Sequence, residues 1–183
     1  MTLKSICVYC GSRTGDRPEY AEEAARLGAA IAGEGWRLVY GAGDVGLMGT
    51  VARAAQDAGG DTFGVIPTHL VNMEVGKKDL TRYVVTETMH ERKKVMLMNA
   101  DAVVVLPGGP GSLDEFFEVL TWRQLGLHDK PILLMDVSGY WGPLKALLDS
   151  IVTHGFASES LLDFVQSGAD TAEVMSLLRR ALS

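Results

Sequence analysis

Residues 101–115, Asp-Ala-Val-Val-Val-Leu-Pro-Gly-Gly-Pro-Gly-Ser-Leu-Asp-Glu, leave this chain few folds to choose from. Val103, Val104, Val105 and Leu106 form a short apolar, β-branched run of the kind buried on both faces of a parallel sheet. Pro107 ends the run, and Gly108, Gly109 and Gly111 follow as a loop whose N–H groups can turn inward. From Ser112 onward, the spacing of Leu113, Phe116, Phe117 and Leu120 predicts a helix. A strand, a glycine loop and a helix start bring unpaired N–H groups and a positive dipole end to one point, which suits a phosphate. Glu115, one turn further on, is placed to touch whatever the phosphate carries. Ser112-Leu-Asp-Glu115 is equally an S-x-x-E capping box, in which Ser112 and Glu115 satisfy backbone donors. Both readings of Glu115 stand on the motif alone. The three glycines favour the ligand, because a cap needs none of them.

Strand and helix patterns alternate along the remaining chain. Strands are expected at residues 5–9, 36–40, 62–66, 102–106, 131–135 and 164–166. Helices are expected at 19–33, 47–58, 86–99, 112–125, 141–153 and 171–182, with a loop at 69–80. The alternation implies right-handed crossovers and an α/β fold, a Rossmann-like doubly wound parallel sheet with helices on both faces. At 183 residues, one domain spanning 1–183 is expected. In such sheets ligands bind beyond the carboxyl ends of the strands, near the point where strand order reverses. The loops at Gly11-Ser12 and at 107–112 would flank that crevice.

A net charge of −6 argues against nucleic acid or an anionic membrane as partner. A small phosphorylated ligand remains compatible, since a local cradle can outweigh the global field. The first ten residues read as a strand rather than a leader, and no apolar run reaches the ~20 residues that span a bilayer, so a cytoplasmic setting is expected. Cys7 and Cys10 form a C-x-x-C, but three residues apart on a strand they point to opposite faces and cannot bridge without distortion. His69, His90, His128 and His154 show no metal-ligand spacing.

Two further motifs stand out. Gly41-Ala-Gly43-Asp-Val-Gly46 is formally G-x-G-x-x-G, with Asp61 twenty residues past Gly41, as a dinucleotide site would have it. It follows the second strand rather than the first. A tight strand-to-helix turn, or a second glycine loop lining the same crevice, explains it as well. Met89-His90-Glu91-Arg92-Lys93-Lys94 reads as a solvated helix face, yet three cations near a helix N-terminus oppose its dipole and would be relieved by a nearby anion.

Met89-His-Glu-Arg-Lys93 followed by Leu106-Pro-Gly-Gly-x-Gly-Ser-x-x-Glu115 resembles the cytokinin riboside 5′-monophosphate phosphoribohydrolases, the Lonely Guy family. Agreement extends to Cys10-Gly-Ser12, to Tyr40-Gly-Ala-Gly-x-x-Gly-Leu-Met-Gly49 and to Leu120-Thr-Trp-x-Gln-Leu-Gly-x-His-Asp-Lys-Pro131. The resemblance implies a homodimer that hydrolyses a purine nucleoside 5′-monophosphate (AMP or an N6-substituted AMP) to free base and ribose 5-phosphate, with no metal or organic cofactor. It implies a catalytic pair of Arg92 and Glu115. The substrate would be held by the phosphate loop of Gly108, Gly109, Gly111 and Ser112, with Lys93 beside it, and by Glu74, Thr121, Gly11, Ser12, Gly43 and Met89. Members often carry a lysine decarboxylase label, although nothing in this sequence suggests a pyridoxal phosphate site. The chain departs from the family pattern at Ser112, usually Thr, at Pro110, which removes one N–H from the loop, and at Ala42, often Gly. A general purine monophosphate nucleosidase and a nucleotide-binding carrier without turnover are the alternative readings.

Overall fold

The computed structural model describes residues 3–71 and 76–183. Their elements run β1 (Ser5–Tyr9), α1 (Pro18–Gly33), β2 (Arg37–Tyr40), α2 (Gly46–Asp57), β3 (Thr62–Pro67), β4 (Arg82–Thr86) and α3 (Met89–Met98). Then follow β5 (Ala102–Val105), α4 (Pro110–Gln124), β6 (Ile132–Met135), α5 (Gly142–Thr153), α6 (Ser160–Asp163), β7 (Val165–Gly168) and α7 (Thr171–Ala181). The seven strands form one sheet in the order β4-β3-β2-β1-β5-β6-β7, and every pairing is parallel. The expected α/β class and Rossmann-like winding are what the chain adopts.

Period-two alternation along buried strands sorts side chains between two cores. Ile6, Val8, Leu38, Tyr40, Val104 and Leu133 meet residues of α1, α2 and α7 on one face. Cys7, Tyr9, Val39, Val103, Val105 and Leu134 meet residues of α3, α4 and α5 on the other. Cys7 and Cys10 fall in opposite cores, and neither forms a disulfide. From β1 the chain winds outward to β4, then returns to place β5 on the other side of β1, so the strand order reverses between these two strands. Among the described residues, no helix is long and apolar enough to cross a membrane.

Three expectations need correction. Residues 81–85 carry no assignment between the expected loop and helix, and Thr86 is expected to be helical; instead Arg82-Tyr-Val-Val-Thr86 is a half-buried edge strand, as its β-branched and aromatic content favours. The following helix starts at Met89 rather than Thr86, because Thr88 caps it. Asp61 lies just before β3, at the amino ends of the strands and away from the crevice described below. It is therefore no ribose-binding acid, and the dinucleotide reading fails.

The chain's final helix is tied to its first. The Glu23 carboxylate accepts from the Thr171 N–H (2.8 Å) and hydroxyl (2.6 Å) at the start of α7, and it also pairs with Arg26. Burial alone would raise its pKa, but the Thr171 and Arg26 bonds outweigh that and hold it below the ordinary carboxylate range. The stabilisation is therefore present above the unfolded pKa and lost as pH falls through the lower folded value. Glu23→Ala is expected to lower the unfolding free energy by ~1–3 kcal/mol at neutral pH. In urea titrations that gap should close below about pH 4. A gap independent of pH would contradict this role.

Candidate active site

The loops after β1 and β5 meet at the reversal point and are laced together. The Gly11 N–H donates to the Pro107 carbonyl (3.1 Å), and the Leu47 N–H at the start of α2 donates to the Gly11 carbonyl (3.0 Å). Between them opens a crevice of about 200 Å³, walled by Cys10, Gly11, Ser12, Gly41 and Met48 on one side and by Gly109, Gly111, Ser112 and Glu115 on the other. Leu70, Met89, Arg92 and Met96 close it from the α3 side. Behind the phosphate loop lies a second recess of about 480 Å³ that shares Gly11, Ser12, Gly109 and Pro110 with the crevice and includes Gly108.

Helix α4 settles the contest over Glu115. It starts at Pro110, with Gly109 as its extended N-cap and no side-chain cap. Proline at this first position matches the helical φ and gives up only an N–H that the helix cannot use internally. Ser112 is thus the third helical residue and Glu115 the sixth, so the S-x-x-E capping box does not form here. The first helical bond runs from the Leu113 N–H to the Gly109 carbonyl (3.2 Å). Among the described residues, the N–H groups of Gly109, Gly111 and Ser112 have no acceptor in the chain. They converge with the helix dipole at the crevice mouth.

A capping box does form one element earlier. The Thr88 hydroxyl accepts from the Glu91 N–H (3.2 Å), while Glu91 Oε2 accepts from the Thr88 and Glu87 N–H groups (3.1 and 2.8 Å). Glu91 of the Met-His-Glu-Arg-Lys motif is therefore structural. It starts α3 at the point that carries Arg92 inward.

Arg92 is 4% exposed. Its Nε donates to the Val65 carbonyl (3.1 Å) within β3 and its Nη2 to the Gly41 carbonyl (2.7 Å) just past β2, while Nη1 lies 3.9 Å from Met89 Sδ. These bonds fix the plane of the guanidinium in the crevice wall. The seat exists only because residue 41 has no side chain: a Cβ there would stand 2.1 Å from Nη2.

Glu115 approaches from the opposite wall. Burial first, and then the Glu115 carboxylate, push the Cys7 thiol well above its ordinary pKa. Burial likewise raises the Tyr9 phenol, with the fields of Cys7 and Glu115 adding to it. Both groups stay neutral at physiological pH, so neither adds a second anion beneath an incoming phosphate.

Gly11, Ser12, Met89, Gly109, Gly111, Ser112, Arg92 and Glu115 are thus brought together, with Gly108 on the adjoining recess. Lys93 is not among them. Its ammonium is buried between Asp114 (3.0 Å) and Glu118 (2.8 Å) of α4. Burial alone would lower its pKa, but these two carboxylates outweigh it and raise it. Lys93 ties α3 to α4, the two helices that carry Arg92 and Glu115. Thr121 is exposed on the fourth turn of α4, and Gly43 pairs with Gly76 in an isolated bridge outside the crevice lining. Glu74 lies outside the described residues. Of the crevice walls, Met48 stands in the Tyr40–Gly49 motif, while Leu70 and Met96 have no signal in the sequence beyond apolar character. Gly41→Ala is expected to unseat the Arg92 side chain and lower the unfolding free energy by ~1–3 kcal/mol. An unchanged denaturation midpoint would show that the guanidinium is not held there.

The family model that matches residues 48–178 is described as "Possible lysine decarboxylase". The chain is 41% identical over 173 residues to the cytokinin riboside 5′-monophosphate phosphoribohydrolase LOG of Oryza sativa subsp. japonica, covering 94% of this chain and 72% of that one. It is 41% identical over 176 residues to LOG7 of Arabidopsis thaliana, with the same activity in its name, covering 96% and 81%. Among solved structures, the molybdenum cofactor carrier protein of Chlamydomonas reinhardtii matches with a TM-score of 0.77 at 23% identity, over 99% of both chains. A molybdenum cofactor binding protein from Rippkaea orientalis matches at 0.75 and 23%, over 100% of this chain and 99% of its own. At that identity the structural likeness shows the fold alone. With most of its length matched by the family model and by relatives above 30% identity, the chain belongs to this family, in company with the cytokinin riboside 5′-monophosphate phosphoribohydrolases.

Proposed function

We propose that this chain hydrolyses the N-glycosidic bond of a purine riboside 5′-monophosphate, including the N6-substituted cytokinin type, to free base and ribose 5-phosphate. One observation carries the reading. Arg92 and Glu115 line one crevice, beside the N-terminus of α4.

The N–H groups of Gly109, Gly111 and Ser112 take the 5′-phosphate, and binding energy at that end becomes orientation at the other. Breaking the bond from C1′ to the base nitrogen leaves positive charge on the ribose ring, as in other glycoside hydrolysis. The Glu115 carboxylate stabilises that charge and accepts the proton of the water that attacks C1′. The base departs with the bonding electron pair and takes a proton from solvent, and Glu115 returns the proton it accepted to solvent, so that one water is consumed. Arg92, fixed in its plane, clamps the phosphate or a ribose hydroxyl. No lysine lines the crevice among the described residues, so a pyridoxal phosphate Schiff base has no partner there, and the decarboxylase description does not fit the site.

The family reading extends to a homodimer in the cytoplasm, where two unbridged cysteines are at home. Phe116 and Leu120 of α4 pack into the chain's own core. Support for the dimer comes from Met98, Leu125 and Leu127, each about two-thirds exposed.

Incubation with AMP and with isopentenyladenosine monophosphate, followed by chromatography of the released base, tests the activity and its base preference together. Adenosine should be cleaved scarcely at all, and equal rates on adenosine and AMP would contradict phosphate anchoring. Glu115→Gln should lower turnover by about 10²–10⁴-fold at an almost unchanged melting temperature. Near-normal turnover in that variant would remove Glu115 from the chemistry.

A further inference from the structure

The loop after β6 presents a tyrosine that the mechanism above does not use. Residues Val137–Gly139 form a single 3-10 turn in which Ser138 and Gly139 adopt left-handed backbone angles (φ 54° and 74°). The turn delivers Tyr140 to the start of α4. Its ring is fixed on two sides, edge-to-face with Tyr20 at 5.6 Å and with Trp141 at 4.8 Å between centroids. Trp141 is itself anchored: its backbone N–H donates to Asp136 Oδ1 (2.6 Å) and its indole N–H to the Val105 carbonyl (3.2 Å). Held in this way, the Tyr140 hydroxyl donates to the Gly108 carbonyl at 2.5 Å.

That bond has a consequence on the other side of the loop. In a trans peptide the C=O and the following N–H point in opposite directions. Drawing the Gly108 carbonyl toward Tyr140 therefore turns the Gly109 N–H away from it. Tyr140 borders the rear recess and not the crevice, whereas Gly109 borders both. The Gly109 N–H thus faces the Arg92–Glu115 crevice. A peptide flanked by two glycines can flip at little steric cost, so the sequence alone does not set this direction. Because Pro110 supplies no N–H, the cradle depends on three donors, and Gly109 is one of them.

We infer that Tyr140 is a positioning residue for the anion site: its hydroxyl locks the Gly108–Gly109 peptide so that the Gly109 N–H donates to the substrate's 5′-phosphate. The inference rests on the phosphate anchoring of the proposed function. Tyr140→Phe removes the hydroxyl and keeps the ring between Tyr20 and Trp141. Calorimetric titration with ribose 5-phosphate, which does not turn over, should show Kd raised about 5–20-fold, the weight of one charge-assisted hydrogen bond. KM for AMP should rise by a similar factor while kcat falls less. Affinity for ribose, which lacks the phosphate, should not change. Equal ribose 5-phosphate affinity in wild type and Tyr140→Phe would overturn the inference while leaving the proposed function intact. So would an equal loss for ribose, the mark of a merely structural role. A wild-type protein that neither binds ribose 5-phosphate nor cleaves AMP would remove the phosphate anchoring and this inference together.

Discussion

Arg92 is a cation buried at the ends of two strands, and the local architecture is arranged to make that tolerable. A buried guanidinium is costly unless its donors are met by well-placed acceptors. Here the carbonyls of Val65, within β3, and of Gly41, just past β2, supply them. The absent side chain at Gly41 makes room, and the Thr88–Glu91 capping box starts α3 at the turn from which Arg92 can reach in. The Lys93 ion pairs then hold α3 against α4, so the helix that brings the cation is fastened to the helix that brings Glu115. Two side chains of opposite charge thereby line one space.

This arrangement lets a chain of net charge −6 hold a phosphate. Long-range repulsion is screened beyond about 10 Å at moderate salt, while the cradle acts at contact distance. Its donors are backbone N–H groups, which carry no proton to lose and need no reorganisation when the ligand arrives. Tyr9 in the crevice lining and Cys7 in the core beneath it stay uncharged. Under the proposed function, anchoring and chemistry are separated along the substrate: phosphate at the helix start, reacting carbon beside Glu115 five residues further along the same helix.

Much of this was legible in the sequence because it depends on local rules. The apolar run Val103–Val104–Val105, the glycines and the amphipathic segment behind them declare a strand, a loop and a helix start, and alternation of elements declares the parallel sheet and its crevice. Errors arose where a signature has two local solutions. Ser112-Leu-Asp-Glu115 satisfies the capping-box pattern, but Pro110, a residue suited to the first helical position, was the available sign that the helix begins earlier. Tyr83-Val84-Val85 carried a strand signal that went unread between the loop and the helix assigned beside it. The pairings of Lys93 with Asp114 and Glu118, and of Tyr140 with Gly108, span 21 to 32 residues, and no local pattern announces contacts created by topology.

The central claim is that one phosphate site at the start of α4 places the glycosidic carbon of a nucleotide over Glu115. A crystal structure of the Glu115→Gln variant with AMP tests it most directly. The account predicts the phosphate oxygens within hydrogen-bond distance of the Gly109, Gly111 and Ser112 N–H groups, and C1′ beside the residue 115 side chain with the Arg92 guanidinium across the ribose or phosphate. AMP bound in the opposite sense, with its base at the start of α4 and its phosphate elsewhere, would contradict it.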